Sequence, residues 1–279
     1  MDTCFLDCPA KINLTLRITG REESGFHKLC SLFYKIGQVD NLTINPSMVD
    51  NVKVIFKRKK SIMKGQNILL KTLDKARSHG IEVPPLEMEL YKNVPPGTGL
   101  GAGSGDAAAL LGFLEGEGFP VMGFADEIGS DVPFLCGQYE LALVEGRGEI
   151  LTSLKGGLGL ACTVAIPKWS CPTAEMFAAA DLHFADGWPT DDKGAEEEIS
   201  RVLDCLRGGK KFGLLPNDFC PVLVARHPEY AELFDRFDCS GAIAWGVSGS
   251  GSSAFALWDK GAFLEFRHGF EWIEDVLIF

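Results

Sequence analysis

Apolar and polar residues alternate along several short stretches of the chain and recur at helical spacing along others. Ile12, Leu14, Leu16 and Ile18 alternate with Asn13, Thr15 and Arg17, predicting a strand with one buried face. Lys11 and Asn13 then share the face opposite the apolar residues, because successive side chains of a strand point to opposite sides. Leu29–Ile36, Leu42–Asn45, Val52–Phe56 and Leu86–Tyr91 read as further strands, with Leu86, Met88 and Leu90 in one phase. Residues 65–79 carry Ile68, Leu69, Thr72, Leu73 and Ala76 at helical spacing and stop at Gly80. A helix is predicted over 106–115, with short elements at 124–128 and after 131. Strands follow at 139–145, 149–154 and 160–166. The C-terminal part reads as helices over 173–180, 195–206 and 261–270, segments at 217–224 and 228–237, and a last apolar stretch. His183–Lys193 reads as a polar surface loop. Runs of strands separated by helices, without a regular strand–helix–strand beat, favour an α+β fold. Lys155-Gly156-Gly157 marks a boundary, giving domains 1–155 and 156–279.

Two stretches fit neither periodicity. The first, Pro95–Ala108, reads PPGTGLGAGSGDAA, with glycines at 97, 99, 101, 103 and 105. Glycine adopts positive φ without strain and lets a ligand approach the backbone. Feeding an Ala/Leu-rich helix, such a loop suits an anion, above all phosphate, because the first helical N–H groups are unpaired. The P-loop pattern fails here, since no lysine and hydroxyl follow the last glycine. A dinucleotide fingerprint does occur at residues 97–102, but the alternating strand before it is unlike a central Rossmann strand, which is apolar on both faces. The second stretch, Trp245–Ser253, is rich in serine and glycine and lies between apolar strands. It misses the esterase elbow at the last position of that motif.

A net charge of −11 argues against a general nucleic-acid binder. The basic run Lys57–Lys60 reads as a solvated hairpin tip. Nine cysteines, without a C-x-x-C pair, predict reduced thiols and no protein metal site. Neither a secretory signal nor a membrane-spanning stretch is visible, so a cytoplasmic location and no membrane partner are expected.

Pro95-x-Gly97-x-Gly99-Leu100-Gly101, then Ser104 and Asp106-Ala107-Ala108, resembles the ATP loop of GHMP-type small-molecule kinases. Pro9–Leu14, Ile18–Arg21 and Gly25-Phe26-His27 resemble one branch, the 4-diphosphocytidyl-2-C-methyl-D-erythritol kinases. So do Gly129–Phe134, Gly146–Glu149, Pro216–Phe219 and Val247–Ser252, all in the family's order. The resemblance implies a two-domain GHMP-kinase-like fold with its active site in the cleft between the domains. It also implies ATP, with Mg²⁺, as phosphoryl donor, and a cytidine diphosphate-linked methylerythritol as acceptor in the non-mevalonate isoprenoid pathway. Another small alcohol or sugar as acceptor, or a nucleotide-binding paralogue without turnover, is the alternative. Asp131 takes the role of general base and Lys11 that of its electrostatic partner. Pro95, Gly97, Gly99, Leu100, Gly101, Ala102, Gly103, Ser104 and Gly105 would hold the ATP phosphates. Asn13, Phe26, His27, Phe177, Ser248, Gly249 and Ser250 would bind the acceptor, with Phe177 a second stacking wall for the base. A monomer or weak homodimer is expected. The stretch departs from the family's usual Gly-Gly-Gly-Ser-Ser-Asp at Gly105, which lacks a hydroxyl that could touch phosphate or a magnesium-bound water. The segment between Ala108 and Gly129 is shorter than usual, and Phe26 stands where tyrosine is common.

Overall fold

The computed structural model describes residues 2–57, 67–260 and 269–279. The tip of the basic run after Lys57, the first residues of the 65–79 helix and most of the helix expected over 261–270 lie outside them. By internal contacts the chain forms two compact units. One comprises Met1–Lys11, Lys35–Pro96 and Gly101–Gln138; the other comprises Ile12–Tyr34, Gly97–Leu100 and Tyr139–Phe279. The strands β1 (Cys4–Arg21) and β2 (His27–Pro46) contribute residues to both.

In the first unit, β3 (Asn51–Phe56) runs parallel to β4 (Leu86–Lys92), with Asn51 opposite Glu87 and Phe56 opposite Lys92. On its other side β4 pairs antiparallel with the end of β2, from Asn41 opposite Tyr91 to Pro46 opposite Leu86. The helix α1 (Ile68–Ser78) is capped by Asn67, whose side chain accepts the Leu69 N–H at 2.8 Å. Its buried stripe is Leu69, Thr72, Leu73 and Ala76. It packs on α2 (Ala102–Gly116), which also packs on α4 (Val132–Cys136); α3 (Ala125–Ile128) lies against all three. Leu110, Leu111 and Leu114 of α2 are wholly buried, each contributing about 1.5–3 kcal/mol of apolar burial.

Two sequence expectations change here. The helix after the glycine ladder begins at Ala102 rather than at Asp106, so Gly103, Ser104 and Gly105 belong to it. Gly101, at φ +65°, turns the chain into the helix and stands as its N-cap. The strands predicted at 29–36 and 42–45 are a single strand, β2, which runs on through residues 37–41 despite the turn-forming Gly37, Asp40 and Asn41.

In the second unit, the start of β2 pairs antiparallel with β5 (Leu141–Gly146), and β5 with β6 (Ile150–Leu154). A second sheet has the order β11-β7-β10-β9-β8, formed by β7 (Leu160–Pro167), β8 (Gly213–Leu214), β9 (Ala244–Val247), β10 (Ala254–Asp259) and β11 (Ile273–Ile278). The last apolar stretch is therefore a strand, β11, antiparallel to β7. The helices are α5 (Thr173–His183), α6 (Asp192–Arg207), α7 (Cys220–Arg226) and α8 (Glu229–Cys239). The 183–193 loop is shorter than the sequence suggests, because Asp191 caps α6 by accepting the Gly194 N–H at 2.8 Å. Phe219, Tyr230, Phe237 and Phe255 fill this unit's core.

From Ala10 to Leu16, β1 is buried on both faces, not one. Alternation of apolar residues marks only one of these faces. The other carries Lys11, Asn13 and Thr15, whose burial requires polar partners. Thr15 Oγ1 accepts the Leu32 N–H at 3.1 Å, and Asn13 Nδ2 donates to Ser31 Oγ at 2.9 Å. Among the described residues no helix is long and apolar enough to cross a membrane.

Candidate active site

Within the first unit, three segments meet at the start of α2. Lys11 of β1 places its ammonium 3.6 Å from Asp131 Oδ2. Asp131 precedes α4, whose first turn begins Val132-Pro133, and its carboxylate makes no capping bond to that helix. It stays aimed at Lys11 instead. Gly101 lies directly over the pair: a Cβ added there would sit 2.9 Å from Asp131 Oδ2 and 3.2 Å from Lys11 Cε. A side chain at 101 would thus fill the space between the lysine–aspartate pair and the helix start. No side chain caps α2 and no acidic residue lies in its first turn. Gly105 N–H closes the first helical bond onto Gly101 C=O at 2.9 Å, leaving the N–H groups of Ala102, Gly103 and Ser104 outside the helix ladder. A Cβ at Gly103 would meet nothing within 4 Å, so the space beside that residue is open. Unpaired N–H groups at the positive end of a 15-residue helix, beside a lysine, make a site for a polyanion.

Gly105 faces the other way. A Cβ on it would fall 1.7 Å from the Pro9 carbonyl oxygen. The missing serine is thus the condition for α2 to lie this close to β1. The absent hydroxyl would point at Pro9, and the Gly105 N–H is already spent on Gly101.

Within the second unit, the Trp245–Ser253 stretch is stitched to the loop residues Gly97–Leu100. Ser248 Oγ donates to Gly99 C=O at 2.8 Å and accepts the Asn13 N–H at 3.3 Å. Ser253 N–H donates to Thr98 C=O at 2.9 Å, and Cys171 N–H to Gly97 C=O at 3.0 Å. Gly99, at φ +78°, has Ser248 C=O pressed against it: an added Cβ would lie 2.0 Å from that oxygen. Asn217 holds the serine loop from behind, its Nδ2 donating to Val247 C=O at 2.8 Å and Gly249 C=O at 3.0 Å. Ser248 is fully buried with its hydroxyl occupied in both directions, so it works as a latch within the protein. Asn13 Oδ1 lies beside Gly249, 3.4 Å from where a Cβ would stand, and Ser250 Oγ is 3.2 Å from Thr173 Oγ1.

Elsewhere in the second unit, three aromatic rings gather around His27, counting its own. The His27 ring stacks on Phe177 with centroids 4.5 Å apart and planes 18° apart, and Trp188 meets its edge at 5.6 Å. Phe177 therefore covers the histidine itself, and the two rings leave no slot between them for a third. His27 Nε2 lies 2.7 Å from Asp181 Oδ1. The carboxylate only accepts, so Nε2 carries the proton and, in the neutral imidazole, Nδ1 is left as an acceptor. Phe26 is more than half exposed, with the Arg147 guanidinium 4.5 Å above its ring. Arg147 is held there by Glu22, whose carboxyl it keeps below the usual range through a charge-assisted hydrogen bond.

Sequence reasoning missed Asp181 and Trp188, which sit on α5 and in the following loop and meet His27 only through folding. It also assigned no role to Asn217, although the Pro216–Phe219 motif was visible. Among the described residues there is no cluster of three or more metal-ligating side chains. Any magnesium here would rest mainly on nucleotide phosphates and water, with Ser104 Oγ as the protein's oxygen donor.

The description "GHMP kinases N terminal domain" matches residues 67–118, and "GHMP kinases C terminal" matches residues 197–268. A 4-diphosphocytidyl-2-C-methyl-D-erythritol kinase of Leptospira interrogans is 34% identical, over 89% of this chain and 90% of its own length. One from Thermosynechococcus vestitus is 32% identical, over 89% of this chain and 85% of its own. A crystal structure of 4-(cytidine 5'-diphospho)-2C-methyl-D-erythritol kinase superposes with a TM-score of 0.73 at 26% identity, covering 91% of this chain and 90% of that one. A homoserine kinase from Cytophaga hutchinsonii, at 17% identity and TM-score 0.63, shares the fold. With the α+β architecture and two matching GHMP signatures, these relatives show that the chain belongs to the 4-diphosphocytidyl-2-C-methyl-D-erythritol kinase family of ATP-dependent GHMP kinases.

Proposed function

We propose that this chain transfers the γ-phosphoryl group of ATP to a hydroxyl of 4-diphosphocytidyl-2-C-methyl-D-erythritol. The observation that carries the chemistry is the Lys11–Asp131 pair, 3.6 Å apart, beside the uncapped start of α2. Asp131 accepts the acceptor hydroxyl's proton as that oxygen bonds to the γ-phosphorus and the bond from phosphorus to the β-bridging oxygen breaks, releasing ADP. Lys11 orients the attacking oxygen and stabilises charge on the transferring group. The N–H groups of Ala102, Gly103 and Ser104 hold phosphate oxygens in fixed positions. Magnesium, when bound, would neutralise phosphate charge; Ser104 is the residue that would hold it.

The acceptor's base is read by Phe26 and His27. Phe26 offers an exposed face for stacking, and Arg147 supports its ring. With its proton fixed toward Asp181, His27 Nδ1 can accept from the exocyclic amine of cytosine but not from the carbonyl of uracil. Phe177 acts by fixing the histidine ring, and Asn13, Gly249 and Ser250 position the remainder of the acceptor.

ADP release measured with purified protein and an acceptor panel tests this reading. Turnover with the cytidyl substrate and little with its uridyl analogue, mevalonate, homoserine or galactose is expected. Turnover of one of the other alcohols in preference would replace the acceptor. ATP binding without ADP release from any acceptor would make the chain a non-catalytic nucleotide binder.

A further inference from the structure

The first unit contains a charged cluster that the proposed chemistry does not use. Asp40, on β2, is fully buried; Lys92, at the end of β4, is 6% exposed, and Asp106, on α2, 1%. Lys92 Nζ donates to Asp106 Oδ2 at 2.7 Å and also to Asp40 Oδ2. Asp40 Oδ1 accepts the backbone N–H of Asn93 at 2.6 Å and of Val94 at 3.1 Å. Asn93 and Val94 are the last residues before Pro95, and Asp106 follows the glycine ladder. One ammonium therefore ties the strand that leads into the loop to the helix that leaves it. The cost of burying these ionisable groups is offset by this mutual pairing and the added backbone bonds.

We propose that Asp40, Lys92 and Asp106 form a positioning brace that holds both ends of the glycine loop in the nucleotide-binding geometry before ATP arrives. This rests on the reading of Pro95–Gly105 as the ATP phosphate loop. None of the three reaches the nucleotide; they act through the loop's backbone. An ordered loop spends no binding energy on ordering itself, so the brace shows in ATP affinity and not in the phosphoryl-transfer step. Asp106→Ala removes one arm and leaves Lys92 with Asp40 alone. Asp106→Asn keeps an oxygen that can accept from Lys92.

The test measures ATP affinity by calorimetry, alongside kcat and both KM values. Asp106→Ala is expected to raise the Kd and KM for ATP about tenfold, with kcat and the acceptor KM within about twofold of the parent. Asp106→Asn is expected to recover most of the loss. A folded Asp106→Ala protein with parental ATP affinity would overturn the brace, as would equal losses in both KM values. Amide exchange of the nucleotide-free parent gives a check that does not depend on a variant folding. The Asn93 and Val94 amides should be protected as well as those inside β4; rapid exchange there overturns the brace. A parent protein that fails to bind ATP would instead overturn the functional reading beneath it, whatever those amides do.

Discussion

The chain has two loops of small residues, and they spend their polar groups in opposite ways. Around Pro95–Gly105 the backbone turns into α2 with no capping side chain, and the first helical N–H groups stay available beside Lys11. Around Trp245–Ser253 many polar groups are tied down: the Ser248 hydroxyl by Gly99 and Asn13, the Val247 and Gly249 carbonyls by Asn217, and the Ser252 carbonyl by Tyr230. Residues 245–253 are all buried, whereas the first loop is partly open. Glycine and serine content alone therefore does not mark a ligand loop. What matters is whether the N–H and hydroxyl groups are left without protein partners. The first loop leaves helix-start N–H groups outside the protein's own hydrogen bonds, whereas in the second Ser248 and Asn217 hold the backbone in place.

Replacing groups in each region should separate these roles. Asp131→Asn, beside the open loop, is expected to lower kcat by at least about a hundredfold while ATP affinity stays near the parent value. A near-parental rate in steady-state assays would remove Asp131 from the base role. Gly105→Ser restores the residue usual in the family, yet its Cβ would fall on the Pro9 carbonyl. We expect a loss of about 1–3 kcal/mol in denaturant unfolding, the scale of overpacking in a tight core. An equally stable Gly105→Ser protein would mean that α2 does not approach β1 this closely.

In the closed loop, Ser248→Ala strips a partner from Gly99 C=O and the Asn13 N–H. It should cost about 0.5–1.5 kcal/mol, the scale of a lost internal hydrogen bond. Its kcat should change far less than that of Asp131→Asn; a fall of similar size would show that the serine hydroxyl takes part in the reaction itself.

The smallest effect concerns pH. Burial, together with the Asp40 carboxylate, pushes Asp106 up to about 7 despite Lys92, and the Cys8 thiol beside it is pushed up as well. A carboxyl raised on folding binds its proton more tightly in the native state. Its favourable contribution is therefore full below the unfolded value and is lost as pH rises toward about 7. The unfolding midpoint of the parent should accordingly fall relative to Asp106→Asn between pH 5 and pH 8, read by circular dichroism across that range. A difference that stays flat over this range would place the Asp106 titration elsewhere.

How much was legible in the sequence depends on what each signal measures. The order of motifs singled out Lys11 and Asp131, and folding brings them together. Strand phase also held a signal that went unread: Lys92 continues the buried phase of Leu86, Met88 and Leu90, so alternation alone predicts a buried ammonium in need of carboxylates. Asp40 and Asp106, its partners, lie 52 and 14 residues away, and no local pattern points to them. The same holds for Asp181 on His27, 154 residues apart.

The sequence by itself determined the elements and the class of chemistry. Helical and strand periods are local, glycine marks where the backbone must turn, and the order of short motifs identifies a kinase. The tertiary structure decided which polar groups are spent and which are left over. It showed β1 buried on both faces, Gly105 as a condition of close packing, Ser248 as a latch, and Phe177 covering His27. These outcomes depend on partners far apart in the chain, because a hydrogen bond or a van der Waals contact is set by distance in space and leaves no periodic trace along the sequence.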